Sequence, residues 1–438
     1  MNDVARPGRR LGRSASGTFV LKLLEAGAAF AITFALARLL GAEEFGRYSV
    51  VIAWVALLTV PGMAGMENLT VRHVAGFSSS HDWGHLRGFL TFSITVVAAA
   101  SLLLALAAAL GAWILDVGPE QLPIFLVGMG IVPLYALTRV GQAAIRGLFR
   151  IVVGFVPELV VTPIIVIGLM VLTIALLDIV PTASWAIVIQ LVAGAAALLV
   201  TIFVLWKVLP TEIRSATPAY RRREWIKSAL PLLLIGGTQM VIRQTDIILI
   251  GLFKGPTDAG LYAVATRGAQ LISFLLYGVN AALAPDIARL VAQGELAELQ
   301  RIVTRSTRLV VAFSIPIAAV FVLFGAQFLG LFGPEYEAAA PVLAILSVAQ
   351  LVNAASGSVG NLLTMSGHER DAARGFVFAA VLNLALNGLL IPAYGIVGAA
   401  VASAISLISW NLILAALVYR RLGIYSTVLG QIRMTERK

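Results

Sequence analysis

Cysteine is absent from the 438 residues. That excludes structural disulfides, thiolate metal sites and cysteine nucleophiles. Charge is scarce: Asp, Glu, Lys and Arg make up 12%, where a soluble domain of this size carries about a quarter. So few charges do not cover a water-facing surface. Histidine is limited to 4 residues. His81 and His85 have an i, i+4 spacing, but they lie in a short polar connection with no cysteine, which is too few ligands for zinc. No phosphate-binding loop of the GxxxxGK[ST] kind occurs, so the chain does not hydrolyse ATP itself. No sizeable loop carries the paired carboxylates of a membrane-bound glycosyltransferase. The reading is of a protein that is not an enzyme and needs no cofactor and no metal.

What remains is apolar. Hydrophobic residues make up 59% and the mean hydropathy is +0.94. Runs long enough to cross a bilayer fall at 15–40, 47–68, 88–115, 122–146, 151–177, 183–207, 228–253, 258–284, 307–332, 338–366, 372–393 and 395–419. Only helices suit such runs, because each amide needs a partner without water. The expected fold is an all-α polytopic membrane protein of about twelve transmembrane helices. Arg6, Arg9, Arg10 and Arg13 followed by an apolar stretch resemble a signal peptide. The stretch from Gly17 to Leu40 is of spanning length, carries Lys22 and Glu25, and is followed by many further spans. It reads as an uncleaved first helix.

Lys and Arg set the orientation. With the N-terminus in the cytoplasm, the inner segments hold 25 of them, the outer loops hold Arg47 and Lys254, and Lys22, Arg38, Arg139, Arg243 and Arg267 lie within spans. The positive-inside rule then puts both termini in the cytoplasm. The net charge of +10 is mostly topology and contact with anionic lipid, with Arg221-Arg222-Arg223 as a juxtamembrane anchor, and not a sign of nucleic acid.

The chain divides into a cytoplasmic tail (1–14), a six-helix lobe (15–207), a cytoplasmic linker (208–227), a second six-helix lobe (228–421) and a cytoplasmic tail (422–438). A weak internal repeat supports two pseudo-symmetric halves. Leu40-Gly41-Ala42-Glu43-Glu44-Phe45-Gly46-Arg47-Tyr48 is similar to Lys254-Gly255-Pro256-Thr257-Asp258-Ala259-Gly260-Leu261-Tyr262 at an offset of 214. Arg146-Gly147-Leu148-Phe149-Arg150 is similar to Ser366-Gly367-His368-Glu369-Arg370 at an offset of 220. A repeat of this kind places a transporter's binding site between its halves. The segment 285–306 alternates charges with Leu290, Val291, Leu296, Leu299 and Ile302 and reads as an amphipathic helix on the inner surface.

Ionisable side chains in a bilayer cost about 2.5–3.5 kcal/mol each on insertion scales, so each needs a partner or a wet cavity. The seventh span carries Gln239, Arg243 and Asp246 on one face. The eighth carries Arg267, Gln270 and Tyr277. The fourth carries Tyr135, Arg139, Gln142 and Arg146, and the tenth Gln350, Asn353 and Asn361. Glu158 lies in the fifth span, and Lys22 and Glu25 in the first. Two readings stand side by side. In one, Arg243, Arg267 and Arg139 present planar donors to phosphate oxygens, Lys22 is a further substrate contact, and Asp246, Glu25 and Glu158 hold arginines in place or bind a proton or sodium ion. In the other, the charges only pair internally, Lys22 with Glu25 and Arg243 with Asp246.

The chain resembles the O-antigen and exopolysaccharide flippases of the multidrug/oligosaccharidyl-lipid/polysaccharide (MOP) exporter superfamily. The resemblance runs from Ala37-Arg38-Leu39-Leu40-Gly41 through Phe332-Gly333-Pro334-Glu335-Tyr336, Leu363-Thr364-Met365-Ser366-Gly367-His368-Glu369-Arg370 and Leu382-Asn383-Leu384-Ala385-Leu386-Asn387 to Ile391-Pro392-Ala393-Tyr394-Gly395. It implies a pair of six-helix lobes around a central cavity. It implies transfer of a polyprenyl-diphosphate-linked oligosaccharide from the cytoplasmic to the outer leaflet of the inner membrane, driven by a proton or sodium gradient, for cell-surface polysaccharide such as lipopolysaccharide or exopolysaccharide. Membrane lipids, a polysaccharide polymerase and a chain-length regulator are the implied partners. The first alternative is a multidrug and toxin extrusion-type antiporter. Its cationic substrates call for an excess of intramembrane carboxylates, whereas the spans hold five Lys/Arg and four acids. A major-facilitator sugar transporter lacks support, since 71–87 has no Gly-Asp-Arg-rich signature. A non-transporting scaffold for polysaccharide assembly would have no need of charged stripes.

Overall fold

A backbone amide in hydrocarbon finds its partner within its own segment, and the chain answers that demand with helix. The computed structural model describes the backbone of residues 7–177 and 180–430, and the side chains of 27–175, 180–234 and 236–430. Among the described residues there is no strand. The helices are α1 (Pro7–Gly62), α2 (Met66–Ser79), α3 (Trp83–Ile114), α4 (Gln121–Met129), α5 (Ile131–Gly147), α6 (Ile151–Val156), α7 (Thr162–Leu177), α8 (Ala183–Val208), α9 (Arg222–Phe253), α10 (Pro256–Gln293), α11 (Leu296–Leu323), α12 (Gly325–Gly330), α13 (Ala340–Ser356), α14 (Val359–Met365) and α15 (Glu369–Leu422). A π-helical turn, Pro157–Val161, joins α6 to α7.

Ten helical stretches among the described residues are long and apolar enough to cross a membrane. Two of them are double. Gly41 (φ 71°, ψ 174°) breaks α1, and Gly395 (φ 58°, ψ −137°) breaks α15. After Gly395 the two parts of α15 come so close that a Cβ on Gly398 would lie 2.3 Å from the Leu390 carbonyl oxygen. Counting each part gives twelve passages, six in each half of the chain, as the hydropathy runs predict.

Two compact units result, Ala31–Gln244 and Thr245–Lys438 with Met1–Phe30. Within each, the same turns recur. Gly41 and Gly255 (φ 93°, ψ 176°) share one backbone conformation at the offset of 214 seen in the sequence. At the α2–α3 turn, the amides of His81, Asp82, Trp83 and Leu86 bond to the carbonyls of Ser78, Phe77, His81 and Asp82. The α10–α11 turn repeats the pattern with Gly294, Glu295, Leu296 and Leu299 bonding to Val291, Leu290, Gly294 and Glu295, an offset of 213. The α5–α6 turn bonds Leu148, Phe149 and Arg150 to Ala144, Arg146 and Ile145, and Ser366, Gly367 and His368 repeat it with Leu362, Thr364 and Leu363. That offset is 218, which corrects the 220 read from residue similarity. Phe149 (φ 61°) is thus the counterpart of Gly367 (φ 80°).

The amphipathic surface helix expected at 285–306 does not form. α10 runs through Pro285 to Gln293, Gly294 (φ 73°) reverses the chain, and α11 begins at Leu296. Leu290 and Leu299 are fully buried with Val303, Leu362 and Leu414. The charges that suggested a solvent face belong to the adjoining ends of two long helices.

The repeat extends past the sixth passage. In the first unit Arg87 on α3 donates from Nη1 to the carbonyls of Arg214 and Ala216, each at 2.8 Å. In the second, Gln300 on α11, which is Arg87 shifted by 213, donates to the Tyr425 carbonyl at 2.8 Å and accepts from the Tyr425 amide at 2.8 Å. Residues 210–221 and 424–430 are therefore equivalent straps, each held under its own third passage. At the end of the first strap, Trp225 is fully buried, with Phe89 edge-on at 5.0 Å. Arg47 and Lys254, the two cations expected in outer loops, have structural work. Arg47 reaches Glu120 at 2.7 Å and Glu43 at 2.9 Å, and Lys254 donates to the Pro392 carbonyl at 2.9 Å.

Two expectations follow. A Cβ on Gly255 meets nothing within 4 Å, so Gly255→Ala carries conformational strain alone. It should lower stability by about 1–2 kcal/mol, read by thermal unfolding in detergent. Asp82 caps α3 by accepting the His85 amide at 3.2 Å and its ring nitrogen at 2.8 Å. The His85 amide bond, helped by the ring, holds the Asp82 carboxyl below the usual carboxylate range. A depressed carboxylate stabilises above its unfolded pKa, and that contribution is lost as pH falls through the folded value. Asp82→Ala should therefore cost about 1 kcal/mol at pH 7, and its difference from the parent should shrink in acid.

Candidate functional site

The second unit buries a carboxylate. Asp246, on α9, is 6% exposed. It accepts from the Tyr262 hydroxyl of α10 at 2.7 Å, from the Asn387 amide of α15 at 2.6 Å and from the Ser403 hydroxyl. Asn383 donates to Ser403 at 3.3 Å. Asn383 and Asn387 stand four residues apart on the part of α15 before Gly395, and Ser403 on the part after it. The break at Gly395 is what brings them to one carboxylate.

Every donor to Asp246 is neutral. Among the described residues it has no ion pair, so the i, i+3 pairing with Arg243 does not form, and Arg243 is exposed on α9. The physical reason is that Asp246 already has three short donors, which satisfy a buried carboxylate without a second charge. The side-chain oxygens Oδ1 of Asn383 and Asn387 are buried and accept no hydrogen bond. Unmet buried carbonyls cost about 1–3 kcal/mol each. Carboxylate and amide oxygens are hard ligands, of the kind that suits a small cation such as sodium.

The other predicted residues fall in several places. Arg139 and Glu158 meet at 3.3 Å in the first unit. Glu158 lies in the π-helical turn, a form that concentrates at functional sites. Tyr135 accepts from Gln190 at 2.7 Å, and Arg146 pairs with Glu67 at 3.2 Å. In the second unit Arg267 is exposed and donates to Gln270 at 3.3 Å. Asn353 donates to Gln350 at 3.2 Å and accepts from Asn411 at 3.1 Å. Gln239 is half-buried on α9. The side chains of Lys22 and Glu25 lie outside the described residues.

The sequence singles out Asp246 by its charge but not Tyr262, Asn383, Asn387 and Ser403, which surround it. Two asparagines at i, i+4 in an apolar run were a visible signal. Ser403 carried none, because a lone serine in a span is common.

Comparison with known proteins adds to this geometry. Two curated relatives from Haloferax volcanii are a probable low-salt glycan biosynthesis flippase, Agl15, 30% identical over 162 residues, and a probable flippase, AglR, 32% identical over 166. Each match covers 37% of this chain and 34% or 35% of the relative, so the chain spans about a third of the length of the curated relatives it matches. An inward-facing MATE family transporter of the MOP superfamily superimposes with a TM-score of 0.75 at 14% identity, over 92% of this chain and 98% of that one. The lipid II flippase MurJ in an inward closed conformation gives 0.70 at 12% identity, over 92% and 86%. These likenesses show that the chain shares the all-helical fold of those two structures. The family described as polysaccharide biosynthesis protein matches residues 35–341, and a match over more than two thirds of the sequence makes this chain, a multi-pass membrane protein, a member of that family.

Proposed function

We propose that this protein is a flippase that carries a polyprenyl-diphosphate-linked oligosaccharide from the cytoplasmic to the outer leaflet by alternating access, for cell-surface polysaccharide synthesis. The observation that carries the reading is the Asp246 cluster: a buried carboxylate held by neutral donors beside two acceptor oxygens without donors. Such a group suits the cyclic uptake and release of a proton or a sodium ion. The names of the Haloferax volcanii relatives support the substrate class, as does the family's description. On this reading the chain is a transporter and not an enzyme.

The substrate end of the cycle needs cations that meet a diphosphate. Arg243 on α9 and Arg267 on α10 are exposed within membrane passages, and planar guanidinium groups match phosphate oxygens. Gln239, Gln270 and Asn353 would meet sugar hydroxyls. Arg139 and Glu158, paired in the first unit, and Lys22 and Glu25 complete the proposed set. The charge distribution favours an inner (plasma) membrane location with both termini in the cytoplasm. A polymerase and a chain-length regulator are the proposed downstream partners. A second reading, a multidrug antiporter, is favoured by the fold likeness to MATE transporters, and the same assay separates the two.

That assay measures movement of a fluorescent polyprenyl-diphosphate sugar across proteoliposomes. The doubly substituted Arg243→Ala/Arg267→Ala protein should flip at least about tenfold more slowly, the loss of one or two charge-assisted contacts, with unchanged protein level. Full flipping by that variant would remove both arginines from the substrate path. Asp246→Asn keeps the shape and should abolish dependence of the rate on pH or on sodium. A variant that still responds to the same ion would move coupling elsewhere. Export of a cationic dye in place of the lipid-linked sugar would support the antiporter.

A further inference from the structure

A second polar feature stands apart from Asp246, at the α14–α15 turn. A cavity of about 410 Å³ opens there, lined by Gly367, His368, Glu369, Arg370, Asp371, Arg374 and Arg421. Its charges are organised. Asp371 is 8% exposed and serves as a buried post. It holds Arg421 through Nε at 2.9 Å and Nη2 at 2.8 Å, and Arg374 through Nη1 at 3.3 Å. Its carboxylate is used up in aiming two guanidinium groups at the cavity. Arg370, exposed one turn before Arg374, adds a third. Glu369 is the one further acid in the lining, so the cavity presents cations to whatever enters.

The same helix face continues as hydrocarbon. Below Arg370 and Arg374 the exposed positions of α15 are Val377, Phe378, Val381 and Leu384, at 51%, 49%, 63% and 50%. They fall at i, i+1, i+4 and i+7, one stripe of the helix. The opposite stripe, Gly375, Phe376, Ala379, Ala380 and Asn383, is buried. A guanidinium-lined cavity above an uninterrupted apolar stripe matches an amphiphile with an anionic head and a hydrocarbon tail. The cavity is open to the outside and has room for a phosphate with a polar substituent.

We infer that Arg370, Arg374 and Arg421 bind the phosphate of an anionic bilayer phospholipid, whose acyl chain lies along Val377, Val381 and Leu384. The inference requires only that the chain spans a membrane and does not rest on the flippase reading. On the proposed orientation the lipid belongs to the inner leaflet. Its site is distinct from Arg243 and Arg267.

Native mass spectrometry of the full chain in detergent tests it, with phosphatidylglycerol, phosphatidylcholine, polyprenyl diphosphate and inorganic phosphate added in turn. Phosphatidylglycerol should be retained at least tenfold more tightly than phosphatidylcholine. Arg370→Gln/Arg374→Gln should remove that preference while leaving Asp371 paired with Arg421. Val381→Asn should weaken lipid retention with the arginines intact. Arg150→Gln, at the equivalent turn of the first unit, should change nothing and controls for loss of positive charge. Retention of the preference by the double variant overturns the site. Equal competition by inorganic phosphate would make it a free-anion site, and tighter binding of polyprenyl diphosphate would make it a substrate site; either overturns the assignment to phospholipid. Thermal unfolding of each variant separates lost binding from lost folding.

Discussion

Hydrocarbon offers no hydrogen-bond partner, so every polar group that enters it must bring one along. The backbone brings its own by coiling, which is why helix is continuous here wherever the chain is apolar. The demand falls hardest where helices must stop. Each end leaves amides or carbonyls unmet, and the chain meets them in very few residues. At Gly41 and Gly255 a single residue with positive φ ends one helix and starts the next. Gly395 does the same inside α15. Glycine is used because a Cβ makes these backbone angles costly.

The same constraint explains why the halves are similar in turns more than in sequence. Lipid-facing positions accept almost any apolar side chain, so residue identity there drifts freely. A turn must close a fixed set of hydrogen bonds, and those sets recur bond for bond at offsets of 213 and 218. Even side chains of unlike type can occupy one role: Arg87 and Gln300 each hold the strap that follows the sixth passage. The polar interiors have diverged further. The first unit joins opposite charges, Arg139 to Glu158 and Arg146 to Glu67. The second surrounds one charge, Asp246, with neutral donors.

Legibility in the sequence follows from the same physics. Spans were readable because insertion depends on length and hydropathy, which are sums over many residues. In the segment 285–306 a proline and a cluster of charges mimic a helix boundary and a wet face. In the structure the proline is carried within α10 and the boundary is Gly294. The offset of 220 came from matching Gly147 to Gly367, whereas the residue equivalent to Gly367 is Phe149, which adopts a left-handed conformation despite its side chain. Asp246 was readable because its charge is conspicuous in an apolar run. Tyr262, Asn387 and Ser403 were not, because neutral polar groups are common in spans and their convergence depends on the break at Gly395. The spacing of Arg243 and Asp246 permitted a pair, but spacing along a helix does not tell which other helices supply donors.

The choice of neutral donors has a consequence for the proposed coupling. Had an arginine satisfied Asp246, an incoming cation would have to displace a full charge, and the released guanidinium would need a new partner in a dry site. Hydroxyl and amide groups impose no such exchange. Tyr262 and Ser403 donate to Asp246, but a hydroxyl also accepts, so rotation about one bond turns a competitor into a ligand. Asn383 and Asn387 already have carbonyl oxygens without donors. The cluster therefore keeps its carboxylate satisfied before an ion arrives and has oxygens to offer once it does. The difference between these two states is a few bond rotations within one unit, small enough to be reversed in every turn of the proposed cycle.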